Sequence, residues 1–478
     1  MKNEKHFRRK PRPRNQNYGP SQSHRRRGQQ GSQAKPYCFP DPLLEGSEQE
    51  GSPRAGTPGL HSRHWFHADT KGDEQSDPAP PLRVMTYNLL ADYLAQSHKA
   101  ELYSKVPACD LNWSQRLRLV LQEILHYRPD VICLQEVDNY SSLEHALVPE
   151  GYRGNFVMRS NGRQDGCAVF WKAARLEPQQ VQCIHMSEHN LRDNVAQVIL
   201  FEVKADPPGG EGQAPPADAH PMLLVANTHL LFNPGRGDIK IAQLCAITSK
   251  MAGMISEAGK PTGAVLAGDL NLTPDGALYD FLSQGKLDCI TVDRKRLSGQ
   301  IENFGSTPSW MRFQPPTRRR HVQGSARGRH SFRGRGIFYG RGVEAQEYRA
   351  HGWMAENLEI ATMDFTGGAA PLAGRGGQSQ QTTAFLGLQL MSTHASALRR
   401  EPDFTSAHDK SVSTIDYILY TPVVETPGSV CRMSVSAVLM GPPQRLISRG
   451  LPSSEVGSDH FCQVSDLILT IGASPSTS

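Results

Sequence analysis

The chain has 478 residues, with 52 Lys/Arg against 47 Asp/Glu and a formal net charge of +5. Hydrophobic residues are 38%, and 43 Gly plus 34 Pro are too many for a wholly packed globule, which predicts disordered segments beside a folded domain. No apolar run approaches the roughly 20 residues that span a bilayer, and the opening MKNEKHFRRKPRPRNQ lacks the apolar core of a secretory signal. The nine cysteines contain no CxxC pair, which predicts reduced thiols in cytosol or nucleus and argues against a structural zinc site.

Residues 1–80 read as a disordered arm, with eleven Lys/Arg against the single acid Glu4 in residues 1–35, then an acidic Pro/Gly-rich stretch. From Arg83 the texture changes. Arg83–Asn88 predicts a strand running into a polar end. Leu117, Val120, Leu121, Ile124 and Leu125 then recur at helical spacing, with Ser114 as the N-cap and Pro129 marking the exit. Val131–Leu134 is a buried-strand run, and Glu136 sits just past it. Gly166–Trp171 and Val195–Phe201 are strands, followed by the loop DPPGGEGQAPPADAH. Met222–Asn227 runs into His229, a helix carries Ile241, Leu244, Cys245, Thr248, Met251 and Ile255 on one face, and Ala264–Ala267 runs into Gly268-Asp269-Leu270-Asn271.

Strands mixed with amphipathic helices predict an α/β layered fold with polar residues gathered at strand ends. The catalytic domain is placed at 81–470, with a disordered tail at 471–478. An insert at 303–350 interrupts it, and residues 318–342 carry eight Arg and no acid. Its Arg327, Arg329, Arg333, Arg335 and Arg341 alternate with Gly and are interleaved with Phe332, Phe338 and Tyr339. Such a segment builds no core but can stack on bases and pair with phosphates, so the insert is expected to bind RNA. A second flexible stretch is expected at 366–381, and no repeat of period 20 to 50 is present.

Six polar motifs stand in a fixed order: TYNLLADYL at 86–94, LQEVD at 134–138, NTHLLFNP at 227–234, GDLN at 268–271, TIDYIL at 414–419 and GSDH at 457–460. Most follow or end an apolar run. Any one of them alone is better read as a turn or cap; six in order point to chemistry. Acidic and amide groups at strand ends suit a hard divalent cation and a phosphate. Mg²⁺ usually takes one or two carboxylates and keeps waters and phosphate oxygens, which selects Glu136 and Asp459. Mn²⁺ is the expected substitute. Asp269 and Asn271, two apart in an extended segment, face the same way, so Asp269 can orient or deprotonate an attacking water while Asn271 holds the phosphate. Asp416 can fix the tautomer of His460, which then contacts the phosphate, with His229 as a second such contact.

Taken together, Asn88, LQEVD, His229, GDLN, IDY and SDH resemble the endonuclease/exonuclease/phosphatase superfamily, which includes pancreatic DNase I and the abasic endonucleases. YNLLADYL, QDGCAVFW at 164–171, LRDNVAQ at 191–197, HLLFNPGRGDIKIAQL at 229–244 and KLDCITVDRKRLSGQ at 286–300 resemble the carbon-catabolite-repressor-type deadenylases, in their angel and plant homologue branch. The resemblance implies a DNase I-like two-sheet α/β sandwich flanked by helices, with the site at one end. It implies Mg²⁺ held by Glu136, with Asn88, Asp269, Asn271 and Asp459 completing the shells around it. In-line attack of water on a phosphodiester would follow, with His229 and the Asp416–His460 pair on the scissile phosphate and Pro234 packed on a terminal adenine.

Two departures from the deadenylase pattern stand out. Ser411 and Val412 occupy the places of an aromatic ahead of the DY motif, and the leucine-rich repeats of some members are absent. The expected activity is a Mg²⁺-dependent 3′-exoribonuclease shortening poly(A) tails in cytoplasm and nucleus, with RNA and deadenylase-complex proteins as partners and neither a membrane nor a small organic cofactor. The alternatives are an RNA-end 2′,3′-cyclic phosphatase of the same fold and an RNA-binding adaptor acting through the Arg-Gly insert.

Overall fold

Apolar runs of β-branched and aromatic residues set the frame. In the computed structural model, which describes residues 63–68, 80–204, 220–303, 351–365, 381–426, 428–448 and 450–473, the first half of the chain forms nine strands. They are β1 (Trp65–His67), β2 (Leu82–Asn88), β3 (Val131–Val137), β4 (Tyr152–Met158), β5 (Gly166–Lys172), β6 (Leu176–His185), β7 (Val195–Val203), β8 (Met222–His229) and β9 (Thr262–Asp269). The second half adds β10 (Lys286–Asp288), β11 (Thr383–Phe385), β12 (Met391–Ser392), β13 (Ser406–His408), β14 (Ser411–Ser413), β15 (Asp416–Tyr420), β16 (Val423–Thr426), β17 (Ser429–Leu439) and β18 (Gln463–Ala473).

Two large sheets result. One runs β1-β17-β18-β2-β3-β5-β4, with β16 on β17; the other runs β12-β15-β9-β8-β7-β6. Side chains alternate between faces with period two. Val84, Val131 and Cys133 therefore turn toward the second sheet, in one cluster with Val198, Leu224 and Leu266. Their neighbours Met85, Ile132 and Leu134 turn the other way, onto Leu117, Val120 and Ile124 of the helix Trp113–Tyr127. Burial on both faces explains why these strands read as unbroken apolar runs rather than alternating ones. The helix Gly237–Ala258 covers the outer side of the second sheet with a face that includes Ile241, Leu244, Met251 and Ile255. The expected α/β two-sheet sandwich flanked by helices is the observed fold. No described helix is long and apolar enough to cross a membrane.

Several boundaries differ from the sequence reading. The helix expected to start at Ser114 is capped two residues earlier by Asn112, whose side chain accepts from the Ser114 N–H. Asn caps as well as Ser, and its position two residues ahead decides the matter. The expected arm of residues 1–80 contains part of the domain: β1 pairs antiparallel with β17, and buried Arg63 donates to the carbonyls of Met440 at 2.9 Å and Cys462 at 2.8 Å. The tail boundary also moves, since β18 carries pairing through Ala473 rather than stopping at 470. Asn303, assigned to the insert, ends a short helix Gln300–Asn303. The remainder of the arm and of the insert, including Arg327, Arg329, Arg333, Arg335 and Arg341, lies outside the described residues, as do 366–380 of the second stretch.

Candidate active site

Sheet register alone brings most of the polar motifs together. The parallel β8–β9 ladder sets His229 beside Asp269, and the antiparallel β9–β15 ladder sets Asp269 beside Asp416. His229, Asp269 and Asp416 thus stand abreast at one end of the second sheet. At the same end of the first sheet, the parallel β2–β3 ladder pairs Asn88 with Gln135, immediately before Glu136. Ser458 then ties the GSDH segment to this row by donating to the Asn88 carbonyl at 2.7 Å.

The backbone around these residues is strained. Leu90, Glu136 and Asn271 are non-glycine residues at φ of 57°, 53° and 49°. Such conformations cost roughly 1–3 kcal/mol each and persist only where the surroundings over-determine them. Here hydrogen bonds do so. The Leu90 N–H donates to Asn88 Oδ1 at 3.0 Å, the Ala91 N–H to Glu136 Oε2 at 3.1 Å, and the Asn271 N–H to Asp269 Oδ1 at 3.0 Å. Glu136 also sits where the β3–β5 register shifts between Leu134 and Val137, a bulge that re-aims its carboxylate. Gly268 is required by close approach, because a Cβ there would lie 1.9 Å from the Thr228 carbonyl oxygen.

The side chains form a connected set. Asn88 Nδ2 donates to Glu136 Oε1 at 3.1 Å and to Asp269 Oδ2 at 3.0 Å. His460 Nδ1 lies 2.9 Å from Asp416 Oδ2, which also accepts from the Thr405 hydroxyl at 2.6 Å. His460 Nε2 is 3.9 Å from both Asp269 Oδ2 and Asp459 Oδ1. Tyr103 donates to Asp459 Oδ2 at 2.9 Å. On the other flank, His229 Nε2 is 3.4 Å from Asp269 Oδ2, and its Nδ1 is 3.9 Å from Glu136 Oε1.

Burial and charge divide these groups by role. Burial, followed by the charges of Asp459 and Asp165, pushes the Glu136 carboxyl up to about 7. Burial and then the charge of Asp416 push Asp269 up to about 7 as well. His229 falls well below its ordinary value because it is buried and because Arg159 and His460 lie near, so its ring is neutral. Burial also opposes charge on His460, but Asp416 and Asp459 outweigh it and hold the ring well above its ordinary value, as an imidazolium. The site therefore pairs one neutral and one cationic imidazole around the same carboxylate.

A hard divalent cation fits this arrangement. Glu136 and Asp269 are buried beside other carboxylates whose charge a cation would offset, and Asp459 Oδ1 is buried with no hydrogen-bond partner among the described residues. Among the described residues, Asp269, Asp416 and His460 offer three ligand atoms within 4.8 Å of one another. His460 Nδ1 is engaged with Asp416, however, so that trio reads as a His–Asp pair facing Asp269. Glu136 and Asp459, with their free lone pairs, are the residues that would hold the ion.

Two amides expected at the metal and the phosphate are engaged with protein groups. Asn88, expected among the metal ligands, donates to Glu136 and Asp269 and accepts from the Leu90 N–H, so it spaces the two carboxylates. Asn271, expected on the phosphate, has its Nδ2 3.0 Å from His229 Nε2 and 3.1 Å from the Leu230 carbonyl oxygen. Pro234 lies half-buried on the loop after His229, its carbonyl accepting from Ser298, with the exposed Phe232 beside it.

The sequence reading missed Tyr103, Arg116, Lys240 and Gln300. Arg116 is fully buried and donates to the carbonyls of Leu89 and Leu90, both at 2.8 Å, and to Gly457 at 3.4 Å, clamping two motif loops together. An arginine in phase with the buried stripe of Val120 and Ile124 was the available signal. Tyr103 lies in a polar stretch with no such signal.

Stacked sheets whose strand ends converge on acids and imidazoles define the DNase I-like class of phosphohydrolases. The model of the Endonuclease/Exonuclease/phosphatase family matches residues 85–460, and the chain belongs to that family. It is 30% identical to carbon catabolite repressor protein 4 homolog 3 of Arabidopsis thaliana, across 85% of this chain and 79% of that protein. It is 27% identical to protein angel homolog 2 of Bos taurus, across 87% and 77% respectively. Among solved structures it is similar to ANGEL2, a 2′,3′-cyclic phosphatase, in complex with adenosine-2′,3′-vanadate, at 25% identity and a TM-score of 0.57, covering 86% of this chain and 99% of that one.

Proposed function

We propose that the protein is a Mg²⁺-dependent phosphohydrolase of RNA ends that removes a terminal 2′,3′-cyclic phosphate. The observation that carries this reading is the likeness to ANGEL2 over nearly its whole chain, together with a β13–β14 hairpin that holds no Phe, Tyr or Trp. Val412 packs against the cluster of Phe404 and Phe461, and Ser411 Oγ lies 3.4 Å from Ser413 Oγ, so neither offers a ring to an adenine. Base stacking is worth roughly 1–3 kcal/mol per base, and its loss here favours recognition of the phosphate over recognition of a run of adenines.

The chain's own residues supply the following steps. Asp269, poised at about 7, accepts a proton from the attacking water. Cationic His460, held by Asp416, offsets negative charge growing on the phosphate. Neutral His229 donates a hydrogen bond to a phosphate oxygen or to the departing ribose oxygen. A bound cation would add Lewis-acid polarisation of the phosphate. Breaking the bonds from phosphorus to O2′ and O3′ consumes two waters and leaves a 2′,3′-diol and inorganic phosphate. The Arg-Gly insert would hold RNA near the site.

The test is an RNA oligomer with a 2′,3′-cyclic end, assayed for released phosphate and for an end that accepts ligation to a 5′-phosphate. Both should appear together, with oligomer length unchanged. AMP release would instead support the second reading, a poly(A)-shortening 3′-exoribonuclease. That reading is favoured by the 30% identity to the plant carbon catabolite repressor protein 4 homologue and by Pro234 on the loop that follows His229. Binding of RNA without either product would leave only the adaptor role.

A further inference from the structure

Lys240 and Gln300 lie in two of the longer sequence stretches, yet nothing in the chemistry above uses them. Lys240 is fully buried on the helix Gly237–Ala258, and Gln300 is nearly so at the start of the helix Gln300–Asn303. Both touch Asn271. Lys240 Nζ donates to the Asn271 carbonyl at 2.6 Å and to Gln300 Oε1. Gln300 Nε2 donates to Asn271 Oδ1 at 3.1 Å.

The polarity of this chain of contacts has only one solution. Burial lowers Lys240 to about 7; as an ammonium it has donors and no acceptor, and the Gln300 atom facing it is then its oxygen. Its NH₂ then faces Asn271, which makes the Asn271 atom opposite an oxygen. Asn271 Nδ2 is thereby turned toward the Leu230 carbonyl and His229 Nε2. The Leu230 carbonyl only accepts, which selects the same orientation independently. Reversing either amide would oppose donor to donor and acceptor to acceptor among buried groups. His229 Nε2 must therefore be the acceptor nitrogen, and its proton must sit on Nδ1. That nitrogen is buried, has no hydrogen-bond partner among the described residues, and stands 3.9 Å from Glu136 Oε1.

We infer that Gln300, oriented by Lys240, is a positioning residue that acts through Asn271 to lock His229 in its Nδ1–H tautomer, so that the imidazole presents a donor to the phosphate side of the site. The tautomer is a property of the protein. Its consequence for rate rests on the proposed role of His229, and the two can be measured apart.

The experiment is nitrogen-15 NMR of the full chain labelled at histidine, at neutral pH with Mg²⁺, with the His229 signals assigned by their loss in His229→Gln. The wild-type spectrum should show a protonated Nδ1 and an unprotonated Nε2. A proton on Nε2, or on both nitrogens, overturns the inference without any appeal to a variant's folding. Gln300→Glu reverses the polarity. A carboxylate facing both Lys240 and Asn271 must meet an N–H from Asn271, and a charged acceptor outweighs the weaker conflict with the Leu230 carbonyl. Asn271 Oδ1 then faces His229, and the proton should move to Nε2. In this variant kcat should fall by about 10²-fold, while KM stays within about threefold. Gln300→Met, which removes the polarity without adding charge, should give a smaller fall in kcat, since Leu230 still anchors Asn271. An unchanged tautomer in a folded Gln300→Glu protein, or a loss carried by KM alone in both variants, would contradict the assignment.

Discussion

Asp269 stands directly opposite Asp416 in the β9–β15 ladder, so two buried carboxylates occupy one cross-strand position at the centre of the site. Like charges in such a pair are destabilising. Asp416 is compensated by His460 at 2.9 Å and Thr405 at 2.6 Å, whereas Asp269 has the Asn88 amide and the neutral His229. The pair is therefore asymmetric: one member anchors a cation, and the other is free to exchange a proton near neutrality.

That asymmetry makes the stability of the metal-free protein depend on pH. Asp269 rises from 3.8 to about 7 on folding and Glu136 from 4.5 to about 7. Both are raised, so the folded state binds protons that the unfolded state has released. Their contribution is complete below about 4 and is lost as pH climbs through about 7. With EDTA, the melting temperature of wild type should fall relative to Asp269→Asn across this window, and Mg²⁺ should restore more stability at the upper end than at the lower. A parallel pH response in the two proteins would contradict the assignment.

Asp416→Asn should separate charge on His460 from the rest of the machinery. Burial alone lowers the His460 pKa, and the neighbouring Asp416 carboxylate does most to raise it. Without that carboxylate the ring loses its proton at lower pH. Turnover should fall by about 10²–10⁴-fold and should decline further as pH rises from 6 toward 8, roughly the range in which an unperturbed His titrates. A pH–rate profile parallel to wild type would remove the cationic His460 from the mechanism.

Arg116→Met tests the clamp between the two motif loops. The substitution leaves the Leu89 and Leu90 carbonyls buried without donors, at about 1–3 kcal/mol each. The melting temperature should fall, and turnover should fall with it because Asn88 and Asp459 flank the released loops. Thermal melts alongside kcat measured well below the transition check this. Full activity in a destabilised protein would make the clamp purely a matter of stability.

Gly268→Ala should be more severe than its one added methyl suggests. A Cβ would sit 1.9 Å from the Thr228 oxygen at a φ of 151°, so the β8–β9 ladder cannot hold its register. That ladder aligns His229 with Asp269. Loss of soluble folded protein, or destabilisation of more than about 4 kcal/mol in a urea titration, is the expected result.

Much of this site was legible in the sequence because its residues border apolar runs. His229 and Asp269 end strands, Glu136 lies one residue short of a strand end and Asp416 opens a strand, and a sandwich gathers strand ends at one edge whatever the loops do. Their mutual register was not legible, since pairing His229 with Asp269 and Asp269 with Asp416 depends on strand order. Nor were the amide roles: Asn88 and Asn271 carry the right chemistry for a metal and a phosphate, and only their neighbours show that both are engaged within the protein. Arg63 was hidden for another reason. Its segment has the composition of a disordered arm, and a three-residue edge strand with one buried arginine leaves too short a pattern to stand out. Lys240 was hidden by its place on an otherwise apolar helix face, where a lysine is ordinarily taken for a solvated edge.

The most direct measurement is a denaturing gel of 5′-labelled RNA ending in a 2′,3′-cyclic phosphate, incubated with wild type, with wild type plus EDTA, and with Glu136→Ala. Cation-dependent conversion of the cyclic end to a diol at unchanged length, lost with EDTA and reduced by about 10²-fold or more in Glu136→Ala, is the predicted result. A cation-dependent ladder of shortened products, or equal conversion by Glu136→Ala, would contradict the account.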